Sequence, residues 1–165
     1  MKLILLFCLV FLCTLIGLGV SKNYKERKRF FEELLTFVQF LKTDIVFGMT
    51  KLQKSINTFS QDVKNSNLKS LLNNYCNILK DDGIINQNRL FENIKILKND
   101  EIDLLLNFFK GLGKSDVMGQ VEHFEKMYKR IEIYFNQSKN EKEKYGNLYT
   151  KIGFLIGLFL CLIFI

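Results

Sequence analysis

The chain has 165 residues, no proline and a formal net charge of +7, from 24 Lys and Arg against 17 Asp and Glu. This length allows one water-soluble domain. The four cysteines form no C-x-x-C pair, which argues against a disulfide framework or a zinc site. The 16 phenylalanines are spaced among Leu and Ile as helix core residues are, not beside arginines as in a nucleic-acid stacking platform. We therefore expect no nucleic-acid partner.

An uncharged apolar segment opens the chain, over residues 3–20. It is longer than the apolar region of a secretory signal peptide, and no A-x-A-like cleavage site follows it. A basic cluster comes directly after it, with only Glu26 to oppose it: Lys22, Lys25, Arg27, Lys28 and Arg29. The positive-inside rule places these residues in the cytoplasm. We expect an uncleaved N-terminal transmembrane anchor over residues 1–21, with a cleaved signal as the alternative.

A second uncharged apolar segment covers residues 152–165. Fourteen helical residues span roughly 21 Å, less than the roughly 30 Å hydrocarbon core. A start at Leu148, with Lys151 snorkelling to the interface, extends the span to roughly 27 Å. Basic residues again precede the segment, so we expect a C-terminal anchor over 151–165 and a cytoplasmic domain over 22–150. The alternative is a tail packed on protein or lying in the interface.

The middle of the chain has apolar residues at spacings of three and four, which predict an all-α fold. Six helices are expected, in a bundle whose first and last helices continue into the anchors. Gly48 is expected to end the first helix, Thr50 to cap the second and Asn99 to cap the fifth. The six predicted helices cover 24–47, 50–64, 68–80, 86–97, 99–111, and a stretch from Ser115 or Asp116 onward.

No catalytic, cofactor-binding or metal-binding constellation is evident. The single histidine, His123, lies between glutamates and is expected on or beside a solvated helix face, because a lone histidine makes a poor metal site. The G-L-G-K-S run at 111–115 resembles part of a phosphate-binding loop. It lacks the leading glycine at the required spacing, however, and it follows a predicted helix instead of a strand. No nucleophile motif occurs either. We expect a protein that is not an enzyme and needs no cofactor.

Two stretches carry a family resemblance: LKTDIVFGMTKL at 41–52 and LLLNFFKGLGKSDVMGQVEHFEKMYKRIE at 104–132. Together with an apolar segment at each end, their order and spacing resemble the stage III sporulation protein AB family. The chain has Lys51-Leu52 where the family usually has Pro-Leu, and Phe91 where it usually has Trp. The resemblance marks these candidate signature or interface residues: Gly48, Leu52, Leu112, Gly113, Lys114, Ser115, Asp116 and Gln120.

The loop within this signature has two interpretations. In the structural one, Gly111 ends a helix, a turn follows and Ser115 or Asp116 caps the next helix. In the functional one, the same turn also presents Lys114 and its neighbours to a protein partner.

The resemblance also implies a function. The family is similar to the F-type platform proteins of type II secretion and type IV pilus machines, whose cytoplasmic domains are six-helix bundles. It implies a protein of the mother-cell membrane around the forespore, within a channel complex. The implied partners are a secretion-type ATPase like stage III sporulation protein AA, other channel components and membrane lipid, with homo-oligomerisation left open. The competing hypothesis is a membrane-tethered regulator or sensor; a pore is disfavoured by the absence of intramembrane charge.

Overall fold

A computed structural model describes residues 2–47 and 52–164. Its seven helices are α1 (Lys2–Phe47), α2 (Leu52–Asp62), α3 (Ser66–Lys80), α4 (Gln87–Leu90), α5 (Asn99–Gly111), α6 (Val117–Tyr145) and α7 (Leu148–Phe164). No strand occurs among these residues, which confirms the all-α prediction. The predicted helix stop at Gly48 and the predicted cap at Thr50 lie outside the described residues.

The chain divides into two compact units. We call Arg29–Phe135 the central unit, and Met1–Lys28 together with Asn136–Ile165 the terminal unit. The long helices α1 and α6 each contribute to both, because each passes from one unit into the other.

The central unit has an aromatic core. The part of α1 in this unit buries one face at 1% exposure or less, through Phe30, Phe31, Leu34, Phe37, Val38 and Leu41. The Phe37 ring lies 6.5 Å from the rings of both Phe108 and Phe109 on α5. Tyr75 of α3 packs 4.8 Å from Phe109, and its hydroxyl donates to the Phe109 carbonyl oxygen at 3.3 Å. The core is thus built by rings from α1, α3 and α5.

Side chains of the central unit also fix its connections. The Glu33 carboxylate on α1 accepts hydrogen bonds from the backbone N–H groups of Lys64 and Asn65, at 3.1 and 2.9 Å. Asn65, itself buried, caps α3 by accepting from the Leu68 N–H at 3.0 Å. The predicted cap of α5 was one residue late, because Lys98 is the cap residue and its N–H donates to the buried Glu101 carboxylate at 2.8 Å.

The predicted fourth helix over 86–97 was wrong in length, since α4 ends at Leu90. Two observations explain the early end. Asn93 adopts a left-handed backbone conformation, with φ of 65°, which a continuing helix excludes. The Asn74 side chain of α3 donates to the carbonyl oxygens of Leu90 and Glu92, at 3.1 and 3.4 Å, and so satisfies acceptors that a longer helix would use. Phe91 and Ile94 nevertheless remain buried, as the helical pattern predicted.

In the terminal unit, the N-terminal part of α1 and α7 run antiparallel with their backbones in close contact. A Cβ added at Gly17 would lie 2.5 Å from the Tyr149 carbonyl oxygen, and one at Gly153 would lie 2.7 Å from the Cys13 carbonyl oxygen. A Cβ at Gly157 would lie 2.9 Å from the Val10 Cα. Glycine at these three positions allows an approach that any other residue would prevent.

By length and composition, one helical stretch among the described residues, Val117–Leu162, qualifies as a membrane span. This stretch comprises α6 and most of α7. It is consistent with the predicted C-terminal anchor, while the arrangement with two anchors stays a prediction.

Candidate docking loop between α5 and α6

The loop begins where α5 ends at Gly111. Leu112 turns the backbone out of the helix with φ of −66° and ψ of 130°, and its side chain is buried. Gly113 then adopts φ of 73°, in the left-handed region that favours glycine. A Cβ at Gly113 would lie 3.6 Å from the Leu52 Cδ2 of α2, so the structure brings these two predicted residues together.

Gln120 holds the loop closed. Its side chain is 3% exposed, and its Oε1 accepts from the Gly113 N–H at 3.2 Å. Its Nε2 donates to the Gly111 carbonyl oxygen at 3.2 Å and to the Ser115 Oγ at 2.9 Å. One buried amide thus satisfies backbone groups on both sides of the turn, which explains the glutamine at position 120 of the signature stretch 104–132.

Asp116 is the cap of α6, which resolves the choice that the sequence left open between Ser115 and Asp116. Its Oδ1 accepts from the Gly119 N–H at 3.0 Å, and α6 begins at the next residue, Val117. A Cβ on Gly119 would lie 2.9 Å from both Asp116 Oδ1 and Ser115 Oγ. The glycine therefore leaves room for the cap.

Sequence reasoning placed His123 on or beside a solvated face and missed its contacts. The imidazole is half-buried and stacks on the Phe108 ring at 5.8 Å, with 5° between the planes. Its Nε2 lies 3.2 Å from the Phe108 carbonyl oxygen. A Cβ on Gly111 would lie 2.5 Å from the ring, so this glycine makes room for the histidine as well as ending α5. No local pattern signals the pairing, because the two residues belong to different helices.

The outer side of the loop is both charged and apolar. Lys114, Ser115 and Asp116 are exposed. Directly after them, Val117 is 52% exposed and Met118 is 79% exposed. We call residues 113–118 the α5–α6 surface. Its backbone is held by Gln120 and the Asp116 cap, so it presents apolar and charged groups from a fixed frame.

Most of the predicted signature residues meet at this loop. Among the described residues, no three His, Cys, Asp or Glu side chains are grouped as a metal site requires. The predicted residues Leu52, Leu112, Gly113, Lys114, Ser115, Asp116 and Gln120 all lie in or against this loop. Gly48 is the exception, because it falls outside the described residues.

Comparison with protein families gives a match to stage III sporulation protein AB over residues 2–165. Comparisons with curated proteins and with solved structures give no match. The match covers nearly the whole chain. The chain belongs to the stage III sporulation protein AB family.

Proposed function

We propose that this protein is a membrane-anchored platform of the channel complex between mother cell and forespore, and that it docks a secretion-type ATPase on the cytoplasmic side. Family membership supports a role in sporulation. The ATPase, like stage III sporulation protein AA, and the other channel components are the partners that the family resemblance suggests. Docking of these partners requires a stable binding surface and does not require a catalytic group.

The α5–α6 surface is the single observation that carries the docking proposal. Exposed apolar side chains beside charged ones are typical of protein-binding sites, and methionine is enriched at such interfaces. Met118 and Val117 supply the apolar part, and Lys114 supplies an exposed positive charge beside them. The bundle behind them is closely packed, so little conformational entropy would be lost when a partner binds.

The proposed topology has two anchors, with the central unit in the cytoplasm of the mother cell and both chain ends crossing its membrane. Three observations support it. Both apolar segments are uncharged, basic residues lie on the inner side of each, and glycines allow the N-terminal part of α1 to pack on α7.

The test uses the full chain, purified in detergent, as bait for the purified ATPase. Lys114→Glu and Met118→Asp are expected to lower the affinity by at least about tenfold each, as loss of a central contact does. Ile133→Asp is the matched control, because Ile133 is 57% exposed on the same helix but lies away from the loop. It should bind as the unchanged chain does.

Three outcomes separate the hypotheses. If all variants bind equally and sporulate, the docking surface lies elsewhere. If the unchanged chain does not bind the ATPase, the platform proposal is wrong. If Lys114→Glu keeps ATPase binding but blocks sporulation with the fold intact, the tethered regulator becomes the better hypothesis.

A further inference from the structure

We propose that the terminal unit carries a lysine collar that binds anionic phospholipid headgroups of the membrane in which the protein is anchored. The collar consists of four exposed lysines of this unit near the ends of the apolar segments: Lys22, Lys25, Lys144 and Lys151. The inference rests on the membrane anchoring in the proposed function, but it is independent of ATPase docking.

The net positive charge of the chain is concentrated in the terminal unit. This unit has nine Lys and Arg against three Asp and Glu, a net of +6. The central unit has 15 against 14, a net of +1, although it is the larger of the two. The protein does not need this excess of positive charge in the terminal unit for solubility, because the mixed charges of the central unit already provide it. It indicates an anionic partner beside the terminal unit.

Two of the three acidic side chains of the terminal unit interact with other residues of the protein. Arg27, 5% exposed, forms an ion pair with Glu141 and thereby joins α1 to α6. Glu26 also has an interaction partner. Glu143 is the remaining acid of the unit and is exposed. The four exposed lysines of the collar therefore face solvent with one exposed carboxylate, Glu143, near them, so the outer side of the collar is strongly positive.

Three tyrosines indicate where the bilayer surface lies. Tyr24 of α1 stacks on Tyr149 of α7 at 5.9 Å, and Tyr145 of α6 lies 5.9 Å from Tyr24 and 6.2 Å from Tyr149. Tyrosine is enriched at the headgroup level of membranes because its ring is apolar and its hydroxyl is polar. A cluster from three helices marks one level of the unit as the interface.

The lysines occur at this same level. Lys22 and Lys25 flank Tyr24, Lys144 precedes Tyr145, and Lys151 follows Tyr149 by two residues. On the other side of the tyrosines, large apolar side chains are exposed, among them Leu15, Ile16, Leu18, Leu155 and Ile156. Charged groups next to a tyrosine belt and an exposed apolar surface fit a phospholipid, which has a charged head and apolar chains. A nucleic acid or an acidic protein would match only the charge.

The test reconstitutes the full chain in nanodiscs of phosphatidylcholine that contain nitroxide-labelled phosphatidylglycerol or, in parallel, nitroxide-labelled phosphatidylcholine. Electron paramagnetic resonance gives the fraction of each lipid immobilised by the protein. We expect a preference for phosphatidylglycerol of about five-fold or more at low salt, since one basic side chain near an anionic surface contributes about this factor. The preference should fall as salt is raised.

Two quadruple variants provide the comparison. Lys22→Gln, Lys25→Gln, Lys144→Gln and Lys151→Gln together should bring the preference close to one. Lys54→Gln, Lys69→Gln, Lys95→Gln and Lys126→Gln remove the same charge from exposed sites in the central unit and should leave the preference unchanged. Helical circular dichroism and immobilised phosphatidylcholine should persist in both variants.

No preference in the unchanged chain, or an equal loss in both quadruple variants, would overturn the collar while leaving membrane anchoring intact. If neither lipid is immobilised by any variant, the anchoring itself is wrong, and the collar falls with it. Neither of these results bears on whether the ATPase binds the α5–α6 surface.

Discussion

The two units place the same residue type in opposite environments. In the central unit, Phe37 and Phe108 are completely buried, whereas in the terminal unit Phe11 and Phe159 are 65% and 64% exposed. Burial of a phenylalanine from water is favourable by about 1.5–3 kcal/mol, so exposed ones at this density require another apolar environment. The proposed bilayer supplies it. Composition alone therefore does not distinguish the unit with the aromatic core from the other unit, because both are rich in apolar residues.

The units also differ in how their helices pack. Rings interlock in the central unit, with centroid separations of 4.8–6.5 Å. In the terminal unit, glycines bring the backbones of α1 and α7 together, and the ring contact described between these two helices is the stack of Tyr24 on Tyr149. This difference is expected if water drives the first assembly and if backbone contact within lipid drives the second.

The largest expected effect distinguishes a buried from an exposed phenylalanine. Phe108→Ala should lower the free energy of unfolding by about 3–5 kcal/mol, because it leaves a cavity in the aromatic core. Phe124→Ala, also fully buried, should cost a similar amount. Phe159→Ala is the counterpart and should have little effect on the melting of the full chain in detergent. Equal effects at Phe108 and Phe159 would show that the two environments do not differ.

The second prediction concerns Gln120. Gln120→Ala leaves the Gly113 N–H and the Gly111 carbonyl oxygen without their partner, which should cost about 2 kcal/mol or more. Gln137→Ala, an exposed position on the same helix, should change stability by less than about 0.5 kcal/mol. Chemical denaturation followed by circular dichroism measures both. If Gln120→Ala behaved as Gln137→Ala does, the amide would not be holding the loop.

The third prediction tests backbone contact in the terminal unit. Gly153→Leu places a large side chain where even a Cβ would be 2.7 Å from the Cys13 carbonyl oxygen, so it should destabilise the helix pair by about 1–3 kcal/mol. Gly19→Leu is the matched control, since nothing lies within 4 Å of a Cβ there. Thermal melts of the full chain in detergent compare the two. A Gly153→Leu chain as stable as Gly19→Leu would mean that the helices do not touch at this point.

The smallest expected effects lie in the loop. Asp116→Ala removes the α6 cap and should lower stability by about 0.5–2 kcal/mol. Lys114→Glu changes an exposed side chain and should stay within about 0.5 kcal/mol. Denaturation curves for the two proteins, recorded side by side, decide the point. A larger cost for Lys114→Glu would make the loss of ATPase binding by that variant uninformative.

Sequence periodicity predicted most of the fold because helices in the central unit bury one face each. It placed Phe30, Leu34 and Phe37 in the core correctly. It failed at the end of α4, where a tertiary contact competes with the local helical preference. The Asn74 side chain, which belongs to α3, donates a hydrogen bond to the Leu90 carbonyl oxygen at the end of α4. No window of sequence contains such information.

The candidate loop was located from the sequence, but its construction was not. The motif identified Gly113, Asp116 and Gln120. It did not show that the Gln120 amide hydrogen-bonds to backbone groups on both sides of the turn. The contacts of Leu52 with Gly113 and of His123 with Gly111 join separate elements, so spacing along the chain does not reveal them. The clusters of basic residues, by contrast, are evident from the sequence, because each Lys and Arg carries its charge whatever the fold.

In the proposed topology, the central unit lies in the cytoplasm and the terminal unit crosses the bilayer. Asn107→Cys places a thiol on an exposed face of α5, and Lys2→Cys places one near the N-terminus. In intact non-sporulating cells that express the chain in the plasma membrane, we expect an impermeant thiol reagent to label position 2 but not position 107, and to label both after lysis, relative to the parent chain. Labelling of position 107 in intact cells, with position 2 protected, would contradict it.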